Sequence, residues 1–466
     1  MRGEITTPKL RREMSGFGGM VITLTNLSPS IGVFIAAPVV IQQSGSFAVV
    51  ACLLAFVLGL IVSGVYAELG SAFPHAGGDY VLIGATLGPT LRFASLAGML
   101  VTFPVAMALS GLGVANFLKV LVPAIDPAPF ALVCIVGVTA LAALSVRMNV
   151  WITGLFLAVE IAAMLATAVL GFAHPHNDLF QAVLHPVMAA PGGGLQRTPL
   201  LAMGLAGSAA VYVMNGYGGA VIFGEEVIGA RRKMVWIIYG ALCLGAVAII
   251  PPVAAVIVGA PDLVRLSASA TPLQDFVLTA GGPRVAAAIS LGVALAIINA
   301  MIAISLMGGR VLYAAARENA WHAGLNGALS KIHGRYGSPW VATLALSAVG
   351  LLLCLLPLPV LVMINGSGAA FSYGLLALAL IAGRRSGATK SSRSPMPWHP
   401  VGPCLVILIA VGLMAAALTD KAAGRPGVLV GLGVMAAGAL YYRLVVRPAK
   451  AWAHHAPEEE EALTLG

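Results

Sequence analysis

Long apolar runs recur throughout this chain of 466 residues, and they strongly limit what it can fold into. Each run has about twenty residues, which at ~1.5 Å per residue lets one helix cross a ~30 Å hydrocarbon layer. Only 9% of the residues are charged, against about 25% in soluble domains. The sequence therefore predicts an all-α integral membrane protein with twelve spans. They are 16–41, 47–68, 93–118, 129–147, 150–172, 200–223, 234–258, 284–312, 340–357, 359–382, 402–419 and 426–446.

The basic residues are divided unevenly between the two sides of the predicted spans. The net charge of +9 suggests a nucleic-acid partner, but the basic residues lie in small groups at span ends and form no single basic face. With the N-terminus inside, twenty of the twenty-six Lys and Arg residues are cytoplasmic. This predicts a multi-pass protein of the cytoplasmic (inner) membrane with both termini in the cytoplasm. The outer basic residues are Lys119, Arg197, Arg265, Arg284, Lys421 and Arg425.

Two predicted spans contain clusters of helix-breaking residues near their middle. The first cluster is NLSPSIGVF at 26–34, and the second is VYVMNGYGGAVIFGEE at 211–226. Interrupted spans at corresponding places in two halves indicate a transport site, because free helix ends bind charged groups within the membrane. A zwitterion fits, with its carboxylate on N–H groups around 30–32 and its ammonium on carbonyls around 212–215. The alternative is that the glycines only let neighbouring helices touch.

Four motifs resemble the amino acid-polyamine-organocation (APC) transporter superfamily. SIGVF at 30–34 is similar to that family's G-(S/A)-G-I-F break, although only its third position keeps a glycine. YAELGSAFPHAGGDYV at 66–81 is very close to A-E-L-x-x-x-x-P-x-A-G-G-x-Y. The second break resembles the family's G-F segment with its paired acids, here Glu225 and Glu226. GGRVLYAAARENAWHAGL at 308–325 resembles R-x-L-Y-A-M-A-R-D-G.

The resemblance covers roughly residues 15–385 and implies a fold and a mechanism. The implied fold is a five-plus-five inverted repeat with discontinuous helices 1 and 6, followed by two C-terminal helices. The implied site lies mid-membrane between helices 1, 3, 6, 8 and 10, and transport is by alternating access. The expected divisions are a cytoplasmic N-terminus 1–14, a first repeat 15–173, an outer loop 174–199, a second repeat 200–385, helices 11 and 12 in 386–447, and an acidic cytoplasmic tail 448–466.

Candidate substrate contacts combine the two breaks with polar residues of later spans. Tyr212 falls at the aromatic position that closes over substrate in relatives. Asn299 and Asn365 lie near the middle of their spans, where each either binds substrate or hydrogen-bonds to a neighbouring helix. The candidate contacts are Ser28, Ser30, Ile31, Gly32, Tyr212, Met214, Asn215, Gly216, Tyr217, Asn299 and Asn365.

Glu160 is an acidic residue near the middle of the fifth predicted span. A charge there costs about 3 kcal/mol on insertion scales, so its presence requires a reason. In sodium-independent APC relatives, a lysine fills the corresponding volume, where related sodium symporters hold an ion. Glu160 is therefore a proton site, a contact for a cationic substrate, or a protonated interhelical hydrogen-bonding group. Sodium is disfavoured, because Ser305 is the only mid-helix hydroxyl near the expected cation position.

Charged residues also cluster where the predicted spans meet the cytoplasm, and they form a candidate gate. Ion pairs near water are made and broken at modest cost, as alternating access requires. The alternative, which applies especially to Arg231, is simple extension of basic side chains to the membrane interface. The candidate gate residues are Glu68, Asp79, Glu225, Glu226, Arg231, Arg310 and Arg317.

The sequence thus predicts a sodium-independent secondary transporter of an amino acid or related amine, coupled to protons or working by exchange. A polyamine or organic-cation transporter is the alternative, and a non-transporting membrane sensor is a remote one. We predict no enzyme, metal or cofactor, because no H-E-x-x-H, G-x-S-x-G or multi-carboxylate constellation occurs. The expected partners are the small substrate, a proton and the lipid bilayer, without nucleic acid, and the chain is expected to be a monomer or homodimer.

Overall fold

A computed structural model describes residues 12–119, 121–144, 146–269, 271–356, 358–421 and 424–449. Within these ranges the chain is a bundle of α-helices joined by short connections, with a small β-hairpin on one connection. Most of the predicted N-terminal segment 1–14 and of the acidic tail 448–466 lies outside the described residues.

The first half of the chain is helical apart from short interruptions. Pro29 breaks the first long stretch, because it has no N–H to donate and disfavours helical backbone at the residue before it. Ser28 accordingly has a left-handed conformation, with φ of 45°. The elements are α1 (Gly16–Leu27), α2 (Pro29–Ile31), a π-helical turn (Gly32–Ala36), α3 (Ala37–Ser44), a 3₁₀ turn (Gly45–Phe47), α4 (Ala48–Ala72), α5 (Asp79–Leu87), α6 (Pro89–Leu118), α7 (Pro127–Ala142) and α8 (Val146–Ala173).

The second half begins after a connection that contains a short helix and a hairpin, at the place of the expected outer loop. The hairpin strands pair antiparallel, with Val187 opposite Arg197. The elements are α9 (Leu179–Leu184), β1 (Val187–Ala189), β2 (Leu195–Arg197), α10 (Leu200–Val213), a 3₁₀ turn (Tyr217–Phe223), α11 (Ala230–Gly259), α12 (Leu263–Ala268), α13 (Pro272–Arg317), α14 (Ala323–Leu329), α15 (Trp340–Leu353), α16 (Leu358–Ser386), α17 (Val401–Thr419), α18 (Gly424–Tyr441), a π-helical turn (Tyr442–Val446) and α19 (Arg447–Ala449).

Nine helical stretches in the described ranges are long and apolar enough to cross a membrane. The first, Gly16–Ala72, has 57 residues. At ~1.5 Å per residue it is on the order of 85 Å long, too long for one crossing of a ~30 Å layer. It is interrupted at Gly45, where φ is 60°. Pro127–Ala142 and Trp340–Leu353 are apolar but shorter. The chain is therefore an all-helical, multi-pass membrane protein.

The outside of the bundle is apolar, and the interior is formed by its central helices. Trp236, Leu355 and Leu408 each leave at least 70% of their surface exposed. Such exposure is unfavourable in water and matches lipid. Inside, α13 packs against α6, α8 and α15, while α11 packs against α1, α4 and α8. The predicted span 284–312 lies within the longer α13, whose helical geometry is interrupted at Gly282.

Candidate functional site

A cavity of about 190 Å³ lies at the two helix breaks, between α1, α6, α10, α13 and α16. Its wall is mainly apolar, with polar groups from several helices. Apolar pockets with a few convergent polar groups are typical binding sites for small molecules. The polar residues that line it are Asn26, Tyr66, Asp79, Ser95, Thr102, Ser110, Tyr212, Asn215, Asn365, Ser372 and Tyr373.

The first break is closed by a side chain from α8. The carboxylate oxygen Oε1 of Glu160 accepts a hydrogen bond from the backbone N–H of Ser30 at 2.6 Å. The same oxygen accepts one from the hydroxyl of Ser28 at 3.3 Å. Glu160 is fully buried, and its other oxygen, Oε2, has no hydrogen-bond partner among the described residues. The carboxyl group of Glu160 thus lies at the start of α2, where backbone N–H groups favour a negatively charged acceptor.

The second break lies after α10 and contacts the first directly. Gly216 has φ of 122°, which favours glycine. A side chain there would also strike the backbone of Leu27, so close approach requires glycine as well. The amide Nδ2 of Asn26 donates to the carbonyl of Gly216 at 2.8 Å. This hydrogen bond joins the two interrupted helices beside the cavity.

Aromatic side chains connect the second break to α4 and α16. The rings of Tyr66, Tyr217 and Tyr373 lie with their centroids 6.2–6.4 Å apart. The hydroxyl of Tyr373 donates to the side-chain oxygen of Asn215 at 2.8 Å. These contacts fix the position of Asn215 at the cavity wall.

Asp79, the first residue of α5, supplies a carboxyl group to the cavity. Its Oδ2 accepts hydrogen bonds from the hydroxyl of Tyr66 at 3.0 Å and from that of Ser372. Burial raises the pKa of Asp79 above its ordinary value, while these two hydrogen bonds act in the opposite direction. Among the described residues that line the cavity, Asp79 is the one with an acidic side chain.

Two arginine–glutamate ion pairs connect the C-terminal part of α13 to the segment between the 3₁₀ turn Tyr217–Phe223 and α11. Arg310 makes a two-pronged contact with Glu226, in which Nη2 lies 3.0 Å from Oε2. Arg317 binds Glu225 in the same manner, with Nη1 2.8 Å from Oε2. Paired charge-assisted bonds of this geometry are strong and orient both partners.

Further charged residues extend this network to α4, α6 and α16. Glu68 receives hydrogen bonds from Arg384 at 2.8 and 2.6 Å, and Arg92 pairs with Glu318. His75 lies between the pairs, with Nε2 2.9 Å from Nη2 of Arg317. We call the whole set the ion-pair layer. It consists of Glu68, His75, Arg92, Glu225, Glu226, Arg310, Arg317, Glu318 and Arg384.

The electrostatics of the layer is clearest at Glu225. Burial raises its pKa, but hydrogen bonds from Arg317, the neighbouring charges of His75 and Arg317 and a bond from the Ala76 N–H outweigh it. The net result is a pKa of Glu225 lowered from 4.5 to about 2. Glu225 is therefore ionised at neutral pH.

The structure divides the sequence-based candidates into two groups. Ile31, Tyr212, Asn215, Gly216 and Asn365 line the cavity. The other candidate contacts are not among the lining residues: Ser28, Ser30, Gly32, Met214, Tyr217 and Asn299.

Three candidates have contacts that differ from the expected ones. The amide of Asn299 donates to the backbone carbonyl of Thr153 at 3.0 Å, which ties α13 to α8. Asp79, a candidate gate residue, lies on the cavity wall. Arg231, another candidate gate residue, contributes its backbone carbonyl, which accepts a hydrogen bond from Ser71 at 2.7 Å.

Several residues of the site did not emerge from the sequence. Asn26 could have been predicted as a site residue, because it is a polar residue close before the first break. The hydroxyl groups of Ser372 and Tyr373 and the partners Arg384 and His75 gave no such signal. Their roles depend on which helices are neighbours, and that information is absent from local spacing.

Fold and site together define a class of protein. A multi-pass helical bundle with a cavity at two interrupted helices has the architecture of a secondary transporter. The chain belongs to the amino acid permease family, whose model matches residues 17–435. This membership confirms the predicted relationship to APC transporters.

Individual relatives agree with the family assignment. The chain is 26% identical over 445 residues to an uncharacterised transporter of Mycobacterium tuberculosis, covering 95% of this chain and 94% of that protein. It is 22% identical over 430 residues to the branched-chain amino acid permease of Bacillus subtilis, covering 87% and 88%. It is 24% identical over 237 residues to the Asc-type amino acid transporter 1 of Mus musculus, covering 48% and 43%. The protein is therefore a transporter rather than an enzyme.

Proposed function

We propose that this chain moves an amino acid or a related amine across the cytoplasmic membrane by alternating access, without sodium. The observation that carries the proposal is the cavity at the two helix breaks. The hydrogen bond from Asn26 to Gly216 joins these two breaks. Broken helices line the substrate sites of secondary transporters. Two named relatives, a branched-chain amino acid permease and an Asc-type amino acid transporter, support a substrate of this size and kind.

The proposed architecture has twelve spans, with a five-plus-five inverted repeat and both termini in the cytoplasm. In support, the described ranges hold nine apolar stretches and two shorter apolar helices, and the first stretch is broken at Gly45. The two breaks, after Leu27 and after Val213, stand where the first helix of each repeat is expected. The divisions 15–173, 174–199, 200–385 and 386–447 are retained as the proposed repeats, outer loop and added helices.

The ion-pair layer is the proposed cytoplasmic gate. Glu225 and Glu226 follow the 3₁₀ turn that comes after the second break, so a movement of that turn would act on their pairs with Arg317 and Arg310. Rigid movement of broken helices around a fixed site is how alternating access works in such folds.

Uptake into proteoliposomes tests the transport proposal. The purified full chain is reconstituted and offered a panel of amino acids and amines, with and without sodium, and the accumulated compounds are identified by mass spectrometry. We expect at least one compound to accumulate above protein-free liposomes regardless of sodium. Gly368→Trp fills the cavity and is expected to abolish uptake. Gly412→Trp, on the exposed face of α17, is the matched control. No accumulation of any compound, or full uptake by Gly368→Trp, would contradict the proposal.

Proton coupling is proposed through Glu160, with exchange as the alternative. Its support is a fully buried carboxyl group with one unpartnered oxygen at the first break. An inside-alkaline gradient is expected to raise accumulation by wild type and to have no effect on Glu160→Gln. Gradient dependence that is equal in both proteins would remove Glu160 from coupling. A strict requirement for internal substrate would favour exchange.

A further inference from the structure

The first helix break has no backbone N–H group left for a substrate. The N–H of Ser28 donates to the Leu24 carbonyl at 3.0 Å, and Pro29 has none. The N–H of Ile31 donates to the Ser28 hydroxyl at 3.4 Å, and that of Gly32 to the Ser28 carbonyl at 3.1 Å. The N–H of Ser30 is occupied as well, by Glu160. Each backbone N–H carries a single hydrogen to donate, and at this break every one already has an acceptor. A substrate carboxylate therefore finds no backbone donor here.

Glu160 holds the position that a carboxylate ligand would take. Its Oε1 accepts a short hydrogen bond of 2.6 Å from the Ser30 nitrogen. The side chain comes from α8, behind the break, while the side chain of Ile31 covers the break on the cavity side. A substrate carboxylate would have to displace a fully buried side chain and pass a branched apolar one.

The charge of the cavity points to a cationic ligand. Among the described lining residues, Asp79 is acidic and none is Lys, Arg or His. A bound carboxylate would therefore meet a like charge and no counter-ion, whereas an ammonium group would gain a counter-ion in Asp79. The neighbouring side chains of the cavity wall include Tyr66, Ser372 and Tyr373, whose hydroxyl oxygens accept hydrogen bonds from an ammonium group. The ring faces of Tyr66 and Tyr373 attract cations as well.

We propose that the cavity binds an organic amine that has no carboxylate group, and that Glu160 supplies from within the protein the carboxyl group that a zwitterion would bring. Asp79 is the counter-ion of the ammonium group. A cavity of about 190 Å³ limits the ligand to a small amine, since a cavity of about 150 Å³ holds one benzene. This inference rests on the proposed transport function and narrows its substrate class.

Matched pairs of compounds test the inference. Each pair consists of an amino acid and its decarboxylated amine: valine and isobutylamine, leucine and isoamylamine, phenylalanine and phenethylamine, lysine and cadaverine. Proteoliposomes with the full wild-type chain are offered both members of a pair together, and the internal contents are quantified by mass spectrometry. After the uptake by protein-free liposomes is subtracted, we expect at least one amine to accumulate about tenfold or more over its amino acid. If amino acids accumulate as well as or better than their amines, the inference is wrong and the transport proposal stands. If no compound accumulates, both are wrong.

Substitution of Glu160 tests its part in the preference. Glu160→Ala frees the N–H of Ser30, so we expect the amine-to-amino-acid ratio to fall about tenfold, the value of roughly one hydrogen bond to a charged group. Glu160→Gln keeps an oxygen that accepts from Ser30 and is expected to change the ratio less. A ratio in Glu160→Ala equal to that of wild type would overturn the role of Glu160. If Glu160→Ala does not fold, the ratio in wild type alone decides the substrate class.

Discussion

Two regions of this molecule bury acidic side chains, and they treat the negative charge differently. In the ion-pair layer each acidic side chain is paired with a basic one. Arg310, for example, donates hydrogen bonds from two nitrogens to Glu226. In the cavity, Asp79 accepts hydrogen bonds from the neutral hydroxyl groups of Tyr66 and Ser372. Both arrangements give the carboxyl group hydrogen-bond donors, but only the first provides a positive charge beside it.

The difference indicates what each region does. A buried pair that loses one partner leaves an uncompensated charge, so the layer holds its helix ends together firmly until the whole set of pairs separates. A carboxylate held by neutral donors still attracts a cation, so it stabilises a ligand. The layer is therefore suited to closing one end of the bundle, and the cavity is suited to binding.

The largest expected effect lies in the layer. Arg310→Ala leaves Glu226 buried without its counter-ion and is expected to lower the free energy of unfolding by about 3–5 kcal/mol. Denaturant unfolding in detergent measures this loss. The matched control is Arg284→Ala, an exposed arginine on the same helix, for which we expect a change within about 0.5 kcal/mol. Equal losses in the two variants would show that the layer adds no stability.

The next effect is the dependence of stability on pH at Glu225. Its pKa falls from 4.5 to about 2 in the folded chain, so its contribution is present above pH 4.5 and is lost as pH falls towards 2. The shift corresponds to at most about 3 kcal/mol. Apparent melting temperatures of wild type are expected to drop over this range more than those of Glu225→Gln. If the melting temperatures of wild type and Glu225→Gln fall equally over this pH range, the lowered pKa of Glu225 contributes no stability.

A smaller loss is expected where the two breaks are joined. Asn26→Ala removes the donor to the half-buried Gly216 carbonyl and is expected to cost about 1–3 kcal/mol in unfolding free energy and to reduce uptake. The control is Gln42→Ala, which removes a similar side-chain bond to the Ser269 carbonyl at an exposed site. That loss is expected to be smaller, because water replaces the donor. Equal effects would indicate that the breaks are not coupled through Asn26.

The smallest effect is expected from a single hydroxyl at the cavity wall. Tyr373→Phe removes the hydrogen bond to Asn215 and keeps the stacked ring, so we expect a loss of about 0.5–1.5 kcal/mol in substrate binding. Uptake as a function of substrate concentration measures it. Tyr441→Phe removes a hydroxyl bonded to the Ala320 carbonyl outside the cavity and is expected to leave affinity unchanged. Identical affinities in wild type and Tyr373→Phe would exclude this contact.

Much of the fold was predictable, because the membrane imposes its own rules on sequence. Apolar runs set the spans, and Pro29 and Gly216 marked both breaks. The hairpin Val187–Ala189 and Leu195–Arg197 was not predicted, since strands of three residues carry too little pattern. The helix α13 (Pro272–Arg317) is longer than the predicted span 284–312, and its helical geometry is interrupted at Gly282.

The site was predictable only in part, for a related reason. A break marks a backbone position, so Ile31 and Asn215 could be placed near a cavity from sequence. The N–H groups of the first break can bind a substrate only if no neighbouring helix supplies them with an acceptor. The sequence does not show which helix is the neighbour, so the hydrogen bond from the Ser30 N–H to Glu160 was not predicted. Likewise, Glu68 and its partner Arg384 are 316 residues apart, a pairing that follows from the tertiary fold alone.

The central claim, that one cavity carboxylate binds the ammonium group of the substrate, is tested most directly by neutralising it. Asp79→Asn keeps an oxygen that accepts hydrogen bonds from Tyr66 and Ser372 but removes the charge. Asp262→Asn, which retains a helix cap at an exposed site, is the matched control. We predict that amine uptake at low concentration falls about tenfold or more in Asp79→Asn and stays at the wild-type level in Asp262→Asn. Equal uptake by the two variants would contradict the account.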